Sequence, residues 1–345
     1  MKKLVVVIIG SMLISFSSLA QDFHYSQFYL SPLTCNPGNT GVFNGDIRVY
    51  TMYRMQWFTV TNPYKTFTIA VDGPIFKKRM VGDDYFSAGL DINRDNQGPT
   101  HIRTNSYNGL ISYTKFIGGR QKHDITLGYE IGYAIKSAAY GGTTWDSQWD
   151  GINYNPGYGV NESGAGGKGY LDMSTGLVWN FRTTHLFRSS LGFSLHHFTA
   201  PNFTIHGGRD KQIPQFAIHW NMNYKLSETS NTTLEPSLMA AQQGTSLLID
   251  GGCAVKYVLQ ERSRYTSYQN DRAVHFGVFY RFRDAAFVTL GLDYSMFNFS
   301  VAYDINISGL TPATHTVGAF EFRLQYRTFF KNLNAKRSSV RFMDL

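Results

Sequence analysis

Short segments in which apolar and polar residues strictly alternate make up most of this chain. The clearest segment runs from residue 125 to 136. Its apolar residues are Ile125, Leu127, Tyr129, Ile131, Tyr133 and Ile135. Successive side chains of a β-strand point to opposite faces, so such a strand has one apolar face and one polar face. Because ionisable residues such as Glu130 stand in mid-strand and the pattern recurs along nearly the whole chain, it predicts an all-β fold, a transmembrane antiparallel β-barrel.

Alternation and turn residues together predict 14 strands, an even number, as closure of a single-chain barrel with both ends on one side requires. The predicted strands are residues 47–58, 64–72, 85–93, 102–116, 124–136, 170–182, 186–198, 215–226, 232–242, 247–258, 273–283, 286–293, 297–307 and 319–330. The two longest connections, residues 137–169 and 199–214, fall on the same side. Barrels of this kind have long external loops and short periplasmic turns, so we expect these two connections outside the cell.

The N-terminus has the composition of a secretory signal peptide. Lys2 and Lys3 precede an apolar stretch that ends in small residues at Ala20. No later segment has 18 consecutive apolar residues and the mean hydropathy is −0.24, which excludes a helical membrane protein. We expect a signal peptide (residues 1–20), an N-terminal periplasmic or plug segment (21–46), the barrel (47–330) and a basic tail (331–345), with both mature termini in the periplasm.

Composition and spacing give no support for catalysis, a cofactor or nucleic-acid binding. The formal net charge is +8, but the basic residues are scattered among strands and not gathered on one stripe. Cys35 and Cys253 are too few for a disulfide framework, although one bridge between them stays open. Residues 146–157 match an EF-hand loop poorly, and no zinc or nucleophile-elbow spacing is present. We expect no enzyme activity, no metal and no cofactor.

The segment before the first strand is rich in aromatic residues. Residues 21–37 read QDFHYSQFYLSPLTCNP, with four aromatic side chains within seven positions, and residues 53–57 read YRMQW. An aromatic segment of this kind favours a docking role, so we expect both stretches to bind a partner. The candidate residues are Phe23, His24, Tyr25, Gln27, Phe28, Tyr29, Pro32, Asn36, Pro37, Arg54, Gln56 and Trp57. The alternative is a structural plug, since buried aromatic side chains usually serve packing.

These stretches resemble a known family. Residues 21–41, YRMQW at residues 53–57 and NPYKT at residues 62–66 resemble the PorP/SprF-like outer-membrane proteins of the type IX secretion system of Bacteroidetes. The N-termini of that family read approximately QDxHFSQFYxxPLxxNPxxxG, followed by a YRxQW strand. Further similarity lies at residues 176–179, 191–197 and 235–238 and in the closing strand at 321–327. The similarity extends over nearly all of the chain after residue 20.

The resemblance implies an accessory component of the type IX secretion system. Such a protein assists the export or surface attachment of particular cargo or adhesin proteins. Its partners are outer-membrane lipid, the secreted cargo, and periplasmic and outer-membrane components of the machinery.

The residues themselves also allow an alternative function, that of a porin-like diffusion channel. Its lumen would be lined by Arg54, Glu130, Lys136, Arg281, Arg323 and Arg327. A lipid-modifying enzyme has the least support.

Overall fold

The structure is a computed structural model in which fourteen antiparallel strands form one closed barrel. It describes residues 22–60, 62–75, 84–98, 102–117, 122–138, 145–155, 157–158, 166–184, 186–204, 210–260 and 272–328. The expected signal peptide and the basic tail lie outside the described residues. The barrel confirms the predicted fold class.

Each predicted strand is present, with ends that differ from the prediction by no more than four residues. The strands are β1 (Ile47–Gln56), β2 (Tyr64–Ile75), β3 (Tyr85–Gln97), β4 (Ile102–Ile117), β5 (His123–Ala138), β6 (Gly166–Arg182), β7 (Phe187–His196), β8 (Gln215–Lys225), β9 (Thr232–Gln243), β10 (Ser246–Gln260), β11 (Arg272–Arg281), β12 (Ala285–Tyr294), β13 (Phe297–Asn306) and β14 (Val317–Thr328). In the described part of the chain the helices are short, and none is long and apolar enough to cross a membrane.

Pairing of the first strand with the last closes the barrel. The register runs from Ile47 opposite Thr328 to Gln56 opposite Ala319, and every other strand pairs with its neighbours in sequence. Closure leaves no sheet edge, so the backbone N–H and C=O groups of the strands find partners within the barrel. This satisfies the main requirement that a hydrocarbon environment places on a spanning chain.

The two faces of the wall are inverted relative to those of a water-soluble protein. On β5 the residues of the apolar set point outward, and Ile131 is 46% exposed. On the inner face polar side chains such as Thr126 and Glu130 are buried. The exposed apolar band suits lipid, and the buried polar lumen requires internal partners.

The barrel has two distinct mouths. We call the mouth where β1 begins and β14 ends the terminal mouth, and the opposite one the distal mouth. The connections β5–β6 and β7–β8, which contain the two long predicted loops, both lie at the distal mouth.

The register predicts a depth-dependent cost for charge on the lipid face of β5. Ile131 lies at the middle of the strand, whereas Ile135 lies near its distal end on the same face. Ile131→Arg should lower the free energy of unfolding by about 2–4 kcal/mol, and Ile135→Arg by about 0–1 kcal/mol. Urea titration of the protein in lipid vesicles measures both values, and an equal cost at the two positions would contradict this register.

Candidate functional site in the barrel lumen

Residues 22–46, which we call the lumenal segment, run through the barrel from one mouth to the other. At the distal mouth, the backbone N–H of Asp22 donates to Oε1 of Gln243 (3.0 Å), and Gln243 is the last residue of β9. At the terminal mouth, the N–H of Asp46 donates to the carbonyl of Thr328 (2.8 Å). The start of the described chain and the end of β14 therefore lie at opposite mouths.

Ser26 occupies the centre of a buried cluster of charges. Its hydroxyl donates to Oδ2 of Asp304 (2.7 Å) and accepts from Arg54 (2.9 Å) and Arg281 (2.7 Å). Its backbone N–H donates to Glu321 at 2.6 Å. These four charged side chains come from β1, β11, β13 and β14 and are at most 2% exposed. The lumenal segment thus supplies partners that charges buried in the lumen need.

The charges of this cluster also pair with one another. Arg54 binds Glu321 at 2.7 Å, and Arg281 binds Asp250 at 3.0 Å and Asp304 at 3.2 Å. Loss of one member of such a buried pair typically costs about 3–5 kcal/mol, because the remaining charge is left uncompensated. The cluster therefore holds the segment and the wall as one unit.

A second ion pair anchors the segment nearer the terminal mouth. Arg48 and Asp72, on β1 and β2, form two hydrogen bonds of 2.8 and 2.7 Å. Asp72 also accepts the backbone N–H of Gly41 (2.7 Å), and Arg48 donates to the carbonyl of Asn39 (3.2 Å). Gly41 has φ of +70°, a conformation that glycine adopts without the penalty other residues incur. Both members of the ion pair therefore bind the segment through its backbone.

The turn from Asn36 to Gly38 rests on glycines of the wall. The Asn36 amide donates to the backbone carbonyls of Leu177 (3.3 Å) and Phe193 (3.0 Å). A Cβ atom built on Gly128 would lie 2.2 Å from the carbonyl oxygen of Pro37 and 2.4 Å from the nitrogen of Gly38. The backbone of the turn thus approaches the wall more closely than a residue with a side chain would allow.

The aromatic residues of the segment pack against the barrel. Tyr25 is buried with Leu33 and Tyr50, and its hydroxyl bonds to Oγ1 of Thr68 (2.8 Å). The ring of Tyr29 stacks on that of Phe279, with centroids 5.0 Å apart. These contacts are the packing that the plug alternative predicts.

A histidine at the distal mouth holds the beginning of the segment. His197, just after β7, contacts the Asp22 carboxylate at 2.7 Å through Nε2 and the Asp172 carboxylate through Nδ1. Gln212 donates to Oδ1 of Asp22 (2.8 Å), and Gln243 donates to Oδ2 (2.7 Å), the oxygen that His197 also contacts. Burial alone would raise the pKa of Asp22, but the charge of His197 and the hydrogen bonds from His197 and Gln243 hold it below its usual value. Burial would lower the pKa of His197, yet the two carboxylates raise it well above its usual value.

The structure separates the twelve candidate partner-binding residues into two groups. Phe23, His24 and the other residues up to Pro37 lie in the lumen, as does Arg54. Gln56 and Trp57 lie at the distal mouth, where the Trp57 ring contacts that of Tyr64 with centroids 5.0 Å apart. A residue enclosed in the lumen can meet a partner only if the segment leaves the barrel.

Sequence analysis identified some of the lumenal charges but not their partners. Arg54, Arg281 and Arg323 face inward as expected, yet each is almost completely buried and not lining an open channel. The partner-binding prediction omitted Ser26 and the carboxylates that bind it or its neighbours. Charged residues on the polar face of a strand were the available signal, but their pairing across distant strands leaves no local pattern.

The described residues contain no group of three or more His, Cys, Asp or Glu side chains arranged to hold a metal ion. Asp150, from the weak EF-hand match, accepts the backbone N–H groups of Ile152 (2.8 Å) and Asn153 (2.6 Å) within its own loop.

Cys35 and Cys253 are both free, the first in the lumenal segment and the second on β10. No disulfide bridge joins Cys35 and Cys253 in this structure.

Comparison with family models identifies the chain. The model described as type IX secretion system membrane protein PorP/SprF matches residues 17–326. The chain belongs to the PorP/SprF family. This PorP/SprF-family protein is therefore an outer-membrane β-barrel of the type IX secretion system, and the resemblance in the N-terminal motifs is confirmed. No match was found among curated protein sequences.

Solved structures similar to this PorP/SprF-family barrel include bacterial channels and porins. A TodX monoaromatic hydrocarbon channel deltaS2 mutant has 8% identity and a TM-score of 0.48, with 87% of this chain and 94% of that chain covered. The CymD monoaromatic hydrocarbon channel has 9% identity and a TM-score of 0.46, covering 88% and 94%. The KdgM porin in complex with disordered oligogalacturonate has 8% identity and a TM-score of 0.39, covering 81% and 98%.

The close approach at Gly128 predicts that one methyl group displaces the lumenal segment. Gly128→Ala should leave a heat-modifiable barrel but expose Cys35, whose thiol lies against Met239. In a Cys253→Ser background, maleimide should label the variant about tenfold faster or more.

Gly109→Ala is the matched control. A Cβ at Gly109 would have no neighbour closer than 3.9 Å, so its labelling rate should equal that of the parent protein. Equal rates for Gly128→Ala and the parent would show that the turn tolerates the methyl group in place.

Proposed function

We propose that this protein is a closed scaffold of the type IX secretion system and not a diffusion channel. It assists the export or surface attachment of specific cargo or adhesin proteins and links to periplasmic machinery. The observation that carries the proposal is the lumenal segment, bound at both mouths and at the Ser26 cluster. A segment bound in this way obstructs the lumen against solutes, so the loops and mouths of the barrel are left to serve recognition.

The loops at the distal mouth are suited to contact with an exported protein. Trp149 and Ile152, in the long connection between β5 and β6, are 55% and 79% exposed. Nearby exposed aromatic residues are Tyr154 and Tyr158. Exposed aromatic and aliphatic side chains of this kind are common at protein interfaces. The lumenal aromatics, including Tyr25 and Tyr29, contribute to this function indirectly by keeping the scaffold closed.

Conductance and export together test the proposal. The purified protein in planar bilayers should give no steady porin-like conductance, because the segment occupies the lumen. In cells that lack the protein, the wild-type gene should restore export of type IX cargo, whereas a variant with Trp149→Ser and Ile152→Ser should insert normally and restore it poorly. The paired control is Leu127→Ala, on the lipid face of β5. A large steady conductance together with unaffected export would favour the diffusion channel.

The lumenal segment also gives a prediction about topology. If the long loops face outward, the distal mouth is external, and Asp22 lies at that mouth. An epitope placed between Ala20 and Asp22 should then be labelled by antibody on intact cells, as should one placed at residue 166 in the β5–β6 connection. Labelling of the N-terminal epitope only after permeabilisation would place the N-terminus in the periplasm, as first expected from the sequence.

A further inference from the structure

The terminal mouth carries an excess of positive charge on its inner face. Within β5 to β14, six basic residues face the lumen near this mouth, against three carboxylates. The basic residues are Arg182, Arg188, Lys225, Lys256, Arg323 and Arg327, and the acids are Asp124, Glu235 and Asp293. On the described turns beside them, Lys122 and Glu228 offset each other, and Asp46 at the end of the lumenal segment adds one carboxylate at this mouth, which leaves six basic residues against four acids. The excess therefore belongs to the strands.

Two of these cations lie directly opposite each other. Arg182 on β6 pairs in register with Arg188 on β7, and like charges at such a position destabilise a sheet. Arg188 is in turn opposite Asn223 on β8, and Lys225 follows two residues later on the same face. The Nδ2 of Asn223 is buried without a hydrogen-bond acceptor among the described residues. We call Arg182, Arg188, Asn223 and Lys225 the arc. It brings hydrogen-bond donors and positive charge together on three neighbouring strands, β6, β7 and β8.

A pocket lies beside the arc. Asn223, Lys256, His275 and Arg327 contribute polar side chains to its lining, and Tyr29, Leu30, Met222 and Ala254 contribute apolar surface. The pocket's own carboxylates are already engaged. His275 contacts Glu235 at 3.2 Å and Asp293 at 2.9 Å, and Lys256 contacts Asp293 at 3.0 Å. An incoming anion would therefore meet the cations of the rim and an apolar recess behind them.

We propose that the terminal mouth binds an acidic peptide segment of a protein partner. Carboxylates of the peptide bind Arg188 and Lys225, and an apolar side chain enters the pocket beside Tyr29. The cations point into the lumen and not along the lipid-facing wall, which favours a peptide over a lipid headgroup. The contact rests on the proposed function, because it supplies the link to periplasmic machinery. Complementary charge would speed the encounter and set its specificity.

Binding of a defined peptide to the full-length protein tests this contact. The probe is a fluorescent nonapeptide of four Glu, one Leu and four Glu. The control peptide has the same length and Leu, with every Glu replaced by Gln. In nanodiscs of neutral lipid, fluorescence anisotropy should show saturable binding of the Glu peptide only. Affinity should fall about tenfold or more between about 50 and 250 mM salt, because ions screen exposed charges.

The variant with Arg188→Glu and Lys225→Glu should bind the Glu peptide at least about tenfold more weakly. Lys168→Glu, at the distal mouth, is the matched control and should bind like the parent protein. Lys225→Gln alone provides a milder test should the double variant lose its heat-modifiable fold, and it should still weaken binding measurably.

Three outcomes would overturn the proposal. These are equal binding of the Gln peptide, unchanged binding by a folded Lys225→Gln protein, and stronger competition by inorganic phosphate than by unlabelled Glu peptide, which would indicate a phosphate ligand. The measurement involves neither conductance nor export. A failure here with normal cargo export would reject this contact and leave the proposed function standing.

Discussion

The need to satisfy every buried polar group governs this molecule at two levels. In the wall, β1 pairs with β14, so the strands have no open edge within the membrane. A closed wall turns its polar face inward, and this places charges such as Arg54, Arg281 and Glu321 in a narrow lumen. These charges then need partners of their own. The lumenal segment meets much of that second requirement, as at the Ser26 cluster.

The segment is held through its backbone as well as through its side chains. Glu321 accepts the N–H groups of Ser26 and Gln27, and Asp72 accepts that of Gly41. Charge-assisted bonds of this kind are stronger than neutral ones, and they depend on where the chain runs more than on its side chains. Side-chain packing adds to them, as in the stacking of Tyr29 on Phe279. The segment is therefore part of the folded barrel and not a loose leader.

The two mouths of the barrel differ in the residues that they present. The distal mouth has the long connections and exposed residues such as Trp149, and it holds Asp22 through His197. The terminal mouth is lined by cations that include Arg188 and Lys225. In the function proposed above, each mouth binds its own partner, and the lumenal segment blocks the passage of solutes between them. This suits a member of a secretion-system family better than it suits a porin.

The sequence by itself determined the strands, their number and the face on which each residue lies. Alternation is a local property, so it identified the outward position of Ile131 and the inward positions of Arg54 and Arg281. The N-terminal motifs were sufficient to indicate the family. The location of the lumenal segment was decided only by the tertiary structure. Ser26 and Glu321 are 295 residues apart, and they meet only because closure brings β1 beside β14. The direction in which the segment runs through the lumen likewise depends on anchors at both mouths, and no local pattern encodes it.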